Sequence, residues 1–355
     1  MRTSRAPRLS LFATAVTAGC LTLTGCGALG LSDDEGTTGV SSASAGEIAP
    51  VEGSPQVVAA FYPLAWVSEQ IAGDRADVVN LTTPGGEPHD LELGVQQTSE
   101  VSAADLVVYE AGFQPAVDAA IAQQLDGVAL DVAEVVELEP FEEHGEEHGE
   151  EHADEHAGED HADEHADEHA GEHAGEDHDH GDLGDLDPHF WQDPARMAEL
   201  ASAVGERMAA LDPDGAEAYE ANTDRVVASL EELDQAYTDG LARCERDVVV
   251  TNHDAFGYLT RYGLEFEPVT GISPDAEPTA GDLARLQDLI AEEGITTVFY
   301  ERLVSPQTAR VLAADTGVET AVLDPLEGLT DETADEDYLS LMRENLAALE
   351  RANGC

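Results

Sequence analysis

Gln56-Val57-Val58-Ala59-Ala60-Phe61 and Asp105-Leu106-Val107-Val108-Tyr109 are apolar runs of strand length, separated and followed by amphipathic segments long enough for helices. Asp77 to Leu81 and Gly127 to Leu130 continue the alternation. Strands that alternate with helices predict a parallel sheet flanked by helices. The rhythm returns later, with strand candidates Asp247 to Thr251, Leu264 to Val269, Thr297 to Tyr300 and Glu319 to Leu323, separated by helical stretches such as Thr279 to Glu293. The expected fold class is α/β, with two similar lobes.

Between the lobes, Asp193 to Leu211 and Asp212 to Leu241 read as helices, each opened by an Asp-Pro pair in which Asp caps and Pro takes the first turn. The second is long enough, at roughly 1.5 Å per residue, to run along both lobes as a spine. The expected organisation is a first lobe over 55–211, a linking helix over 212–243 and a second lobe over 244–355. A low-complexity tract from Glu142 to Asp182 interrupts the first lobe, built of repeats such as Glu-His-Ala-Asp-Glu-His-Ala. It has no aromatic or β-branched residue, so it cannot bury a core and is expected to be disordered without metal.

At the start of the chain, Arg2, Arg5 and Arg8 precede a small or apolar stretch from Leu9 to Thr24, the pattern of a secretory signal over 1–25. It ends in Leu23-Thr24-Gly25-Cys26, which resembles a bacterial lipobox in which Cys26 becomes the lipid-modified first residue. The Ser/Gly/Thr/Ala-rich run that follows, within 26–54, reads as a flexible tether. The expected location is extracytoplasmic, with the protein anchored to the cell membrane as a lipoprotein; a secreted protein with an incidental cysteine is the alternative. Of four cysteines, Cys20 lies in the signal and Cys26 carries the lipid, which leaves Cys244 and Cys355. An even remainder in an oxidising compartment argues for one disulfide, with two free thiols as the alternative.

The 355 residues, 42% of them hydrophobic, suffice for two buried cores. Formal charge is −61, from 76 acidic residues against 15 basic ones, every one an Arg, so nucleic acid is not expected as a partner. Such charge suits a cation-attracting or salt-tolerant surface.

Ten of the thirteen histidines lie in the low-complexity tract: His144, His148, His152, His156, His161, His165, His169, His173, His178 and His180. Spaced among carboxylates, they read as weak, exchangeable zinc sites; a solvated acidic spacer is the alternative. The remaining three are His89, in Gly86-Glu87-Pro88-His89-Asp90; His189, in Asp187-Pro188-His189-Phe190-Trp191; and His253, in Thr251-Asn252-His253-Asp254. None lies on an apolar helical face. His89 and His253 follow predicted strands, as does Asp324 in Leu323-Asp324-Pro325-Leu326, and ligands of α/β sheets bind beyond the carboxyl ends of strands. Two histidines from the first lobe, with His253 and Asp324 from the second, could bridge one metal across the cleft. Three imidazoles and one carboxylate suit tetrahedral Zn²⁺, whereas Mn²⁺ calls for more carboxylates.

These segments, with Asp187-Pro188-His189-Phe190-Trp191-Gln192-Asp193-Pro194 and His253-Asp254-Ala255-Phe256-Gly257-Tyr258, resemble the zinc-binding solute-binding proteins of metal-specific ABC importers, the cluster A-I or cluster 9 family. The resemblance spans Gln56 to the C-terminus. It implies two α/β lobes joined by one long rigid helix, with Zn²⁺ held in the cleft by His89, His189, His253 and Asp324. Glu87 and Glu301 are the substitutes for the fourth position. It also implies delivery of Zn²⁺ by a monomer to a membrane permease whose ATPase is a separate chain. A surface zinc buffer or adhesin and a manganese-binding transport component are the alternative readings. A zinc hydrolase is disfavoured, because no His-Glu-x-x-His helix occurs, and the chain is read as not an enzyme.

Overall fold

In a computed structural model, residues 53–125, 127–141, 186–274 and 276–355 are described. The signal, tether and Cys26 expectations up to residue 52, and the tract with its ten histidines, fall outside them. The first lobe opens with β1 (Gln56–Ala59), α1 (Tyr62–Ala72), β2 (Asp77–Asn80), α2 (Val95–Ala103), β3 (Leu106–Tyr109), α3 (Pro115–Gln124) and β4 (Val128–Asp131). All four strands are parallel, in the order β2-β1-β3-β4. β1 and β3 bury Val57, Val58, Ala59, Leu106, Val107 and Val108, the apolar runs that predicted them.

Two helices follow, α4 (Pro194–Leu211) and α5 (Ala216–Leu241), and they pack along one another. Asp193 caps α4, its side chain accepting from Ala195 N, ahead of Pro194. The second Asp-Pro pair does not open its helix directly. Asp212 accepts from Gly215 N and caps a single 3₁₀ turn, Pro213–Gly215, after which α5 begins. Arg75, from the loop after α1, grips the same Asp212 carboxylate at 2.6 Å. At roughly 1.5 Å per residue, α5 is about 39 Å long, and it packs against α1 of the first lobe and against the C-terminal helix.

The second lobe repeats the pattern: β5 (Val248–Thr251), β6 (Glu265–Pro268), α6 (Ala280–Glu293), β7 (Thr297–Tyr300), α7 (Gln307–Thr316), β8 (Glu319–Val322) and α8 (Tyr338–Asn353). Its sheet is also parallel, in the order β6-β5-β7-β8. All eight strands lie within two residues of their predicted bounds. Val250, Leu286, Ile290, Val298 and Leu312 form this lobe's own core, while a larger core runs from the first lobe through α4 and α5 to Tyr338, Met342 and Leu349 of α8.

In each sheet the strand order reverses between the first and third strands, which opens a crevice beyond their carboxyl ends. Loops from both lobes meet there. Gly85, at φ 77°, sends its N–H to Leu329 O at 2.7 Å, and a residue with Cβ is strained in that left-handed conformation.

Cys244, just beyond α5, is joined by a disulfide to Cys355 at the chain end. Backbone hydrogen bonds from Glu245 and Arg246 to Asn353 O reinforce the join. The bridge closes a loop with a sequence separation of 111. In the chain-entropy model, so long a loop contributes at most about 5 kcal/mol. The Cys244→Ser, Cys355→Ser double variant is therefore expected to melt at lower temperature in scanning calorimetry while binding metal with unchanged stoichiometry.

Candidate metal centre

His189 ends a short loop before α4. Asp187, two residues earlier, accepts from both the backbone N–H of His189 at 2.9 Å and its ring Nδ1 at 2.8 Å, so the Nε2 edge faces away into the crevice. His253 follows β5 directly and is held in the same manner. Glu301, at the end of β7, accepts from His253 N at 3.1 Å and from Nδ1 at 2.6 Å. Both imidazoles are wholly buried, and in both the Nε2 atom has no hydrogen-bond partner. His89 reaches the crevice on the loop after β2, where Gln114 Nε2 donates to Pro88 O at 3.0 Å and Phe113 packs edge-on against the imidazole.

The fourth group is Glu327, 1% exposed, on the loop after β8. Its Oε1 lies 3.1 Å from His89 Nε2, 3.3 Å from His253 Nε2 and 3.5 Å from His189 Nε2. The four ligand atoms lie within 4.8 Å of one another. Ligand atoms about 2.0 to 2.1 Å from a tetrahedral zinc stand roughly 3.3 to 3.5 Å apart, so these separations leave room for that ion with little movement. The carboxylates behind His189 and His253 are the outer partners that orient imidazole ligands.

Asp324, expected in the fourth position, stands outside this group. Its Oδ2 accepts from Arg302 Nε at 2.8 Å and its Oδ1 from Leu326 N at 2.9 Å, so it shapes the turn that presents Glu327. Of the two substitutes, Glu301 lies behind His253. Glu87 sits beside His89, with Oε1 accepting from His89 N at 3.1 Å and Oε2 buried without a partner. Glu327 was legible only as one more acid after Leu323-Asp324-Pro325-Leu326; nothing in its spacing marks it.

Electrostatics bind the group together. Burial alone would push Glu327 up, but the facing imidazoles of His189, His253 and His89 hold it well below the usual carboxylate range. Burial likewise disfavours charge on His189, yet Asp187 and Glu327 outweigh it and push His189 up to about 9. His253 is raised well above the ordinary range by Glu301 and Glu327 against the same desolvation. His89, partly buried and without a comparable supporting carboxylate, is lowered by desolvation. Burial and the charge of Glu327 push Glu87 up to about 8. Without metal, protons on imidazoles balance the buried carboxylate.

Two parallel-sheet lobes closing on buried imidazoles and a carboxylate define a two-lobed binding protein whose site fits a divalent metal. The chain belongs to the family described as ZnuA, zinc-uptake complex component A, periplasmic, which matches residues 57–352. It is 33% identical over 306 residues to the zinc-binding lipoprotein AdcA of Streptococcus pneumoniae (strain ATCC BAA-255 / R6), covering 84% of this chain and 56% of that protein. The chain thus spans about half the length of that relative. It is 32% identical over 300 residues to the high-affinity zinc uptake system protein ZnuA of Bacillus subtilis (strain 168), covering 82% and 86%. The crystal structure of the Zn(II)-bound ZnuA-like domain of Streptococcus pneumoniae AdcA superposes with a TM-score of 0.65 at 29% identity, covering 85% of this chain and all of that one.

Two outcomes follow from the site. Because imidazole protons must leave before a metal binds, affinity is expected to rise with pH up to about 9, the value to which His189 is pushed. Calorimetry in buffers of different ionisation enthalpy should register protons released at pH 7. Replacing a supporting carboxylate, Asp187→Asn or Glu301→Gln, is expected to weaken Zn²⁺ binding about 10- to 100-fold in a chelator competition.

Proposed function

We propose that this chain captures Zn²⁺ outside the cytoplasm and delivers it to a membrane permease served by a separate ATPase, with Cys26 as the lipid anchor. The observation that carries the reading is Glu327 Oε1 standing within 3.5 Å of Nε2 of His89, His189 and His253. Three neutral imidazole nitrogens and one carboxylate oxygen form a donor set that suits Zn²⁺ and leaves Mn²⁺ short of oxygen. Family membership and the zinc-uptake names of the relatives support the transport role.

Division of the donors between lobes makes capture cooperative with closure. His89 and His189 belong to the first lobe, His253 and Glu327 to the second. A metal bound to one lobe alone has half its ligands. Closure supplies the rest and excludes water, so the ion itself favours the closed state. Hydrogen bonds already cross the crevice beside the donors, from Tyr258 Oη to Asp187 O at 2.7 Å and from Tyr338 Oη to Trp191 O at 2.5 Å. In this reading the 142–182 tract collects zinc without being part of the tight site.

Calorimetric titration of the metal-free protein with Zn²⁺ and with Mn²⁺ tests the assignment, alongside a variant lacking 142–182 and a His253→Ala variant. The shortened protein is expected to keep one tight zinc site that prefers Zn²⁺ to Mn²⁺. His253→Ala is expected to weaken it by more than about 100-fold, beyond the effect of losing an outer partner. Tight binding that disappears with the tract and survives His253→Ala would make the protein a zinc buffer carried by an α/β scaffold.

A further inference from the structure

The turn that carries Glu327 is gripped from the opposite lobe. Pro325, two residues before Glu327, presents its carbonyl oxygen to two donors of the first lobe, Trp191 Nε1 at 2.7 Å and Gln192 Nε2 at 2.6 Å. Both donors lie in the single 3₁₀ turn, Phe190–Gln192, that follows His189. Leu326, between Pro325 and Glu327, has φ 61° and is the one non-glycine residue in the left-handed region among the described residues. That conformation crowds Cβ against the backbone and persists only where the surroundings hold it. Leu326 is wholly buried, and from its own side the turn is fastened by the Asp324 carboxylate on Leu326 N and by Asn345, whose Nδ2 donates to Asp324 O at 2.6 Å.

Gln192 is the telling member of the pair. It is wholly buried, and its Oε1 has no hydrogen-bond partner, so its carboxamide is supported by the bond to Pro325 alone. A buried amide so sparsely satisfied is a poor stabiliser compared with an apolar side chain of similar volume. Its presence is explained by what the one bond holds.

We propose that Trp191 and Gln192 are positioning residues whose paired bonds to the Pro325 carbonyl hold the Leu326 turn left-handed, so that docking of the His189 loop on the second lobe aims Glu327 at the three imidazoles. The first lobe thus supplies two imidazoles and also sets the carboxylate that the second lobe contributes. This deepens, and rests on, the reading of the group as a zinc site.

The test uses the full chain, with Zn²⁺ affinity from competition with chromophoric chelators and Zn²⁺ release by stopped flow. Gln192→Met and Trp191→Phe are made alone and in a Glu327→Gln background, and the melting temperature of each metal-free protein reports folding. Each single variant is expected to weaken zinc about tenfold, the worth of one buried hydrogen bond, mainly through faster release. In the Glu327→Gln background neither is expected to have a further effect, because the clamp then has no carboxylate to aim. Gln192→Met retains volume and is expected to melt no lower than the parent, so it reads the clamp even if Trp191→Phe folds poorly. Unchanged zinc affinity and release in Gln192→Met would overturn the proposal. So would equal losses with and without the Glu327 carboxylate, which would make the clamp a support of the fold alone. Zinc affinity that Glu327→Gln leaves unchanged would overturn the site reading itself, and the proposal with it.

Discussion

A carboxylate buried among three imidazoles is the constraint from which the rest of this structure follows. Taking Glu327 out of water is costly unless the charge is matched nearby. Among the described residues, the groups that face it are the Nε2 edges of His89, His189 and His253. Because those edges come from two lobes and three loops, the charge can be matched only when the lobes are together. Protons on the imidazoles are one solution to this electrostatic problem, and in the proposed function a metal ion takes their place.

The supporting carboxylates turn this into directionality. Asp187 and Glu301 each accept from the backbone N–H and from Nδ1 of one histidine, so backbone and ring are aligned by one oxygen. Rotation of either imidazole would break its Nδ1 bond while the backbone bond keeps the carboxylate in place. Glu87 has no comparable hold on the ring of His89: it accepts from the His89 backbone N–H while one of its own oxygens stays buried without a partner. The centre is therefore braced through the ring by a carboxylate at His189 and His253 and not at His89, on the loop after β2.

Legibility in the sequence followed the range of the physics. The strands and helices were readable because burial of Val57, Val58, Val107 and Val250 imposes a local apolar pattern, and Asp-Pro pairs encode helix starts within two residues. Even there, Asp212 capped a 3₁₀ turn before the long helix, one carboxylate oxygen accepting from Gly215 N and the other held by Arg75 from a distant loop. The Cys244–Cys355 pairing was readable because only two cysteines remained to pair. His89, His189 and His253 stood out because histidine is scarce outside the tract and all three follow polar or proline-marked loops.

Asp324 and Glu327 show where that legibility ends. Both are acids in the same loop, and Asp324 stands nearer the strand end, where ligands are expected. Arg302, two residues beyond β7, draws Asp324 into an ion pair, and the left-handed Leu326 swings the chain so that the later carboxylate enters the crevice. Composition and spacing by themselves determined the α/β class, the two lobes and the disulfide pairing, and singled out the three histidines as candidates, because each rests on local pattern or on scarcity. Only the tertiary structure decided which carboxylate joins them, because that choice depends on a distant arginine, a single backbone dihedral and two hydrogen bonds from the opposite lobe.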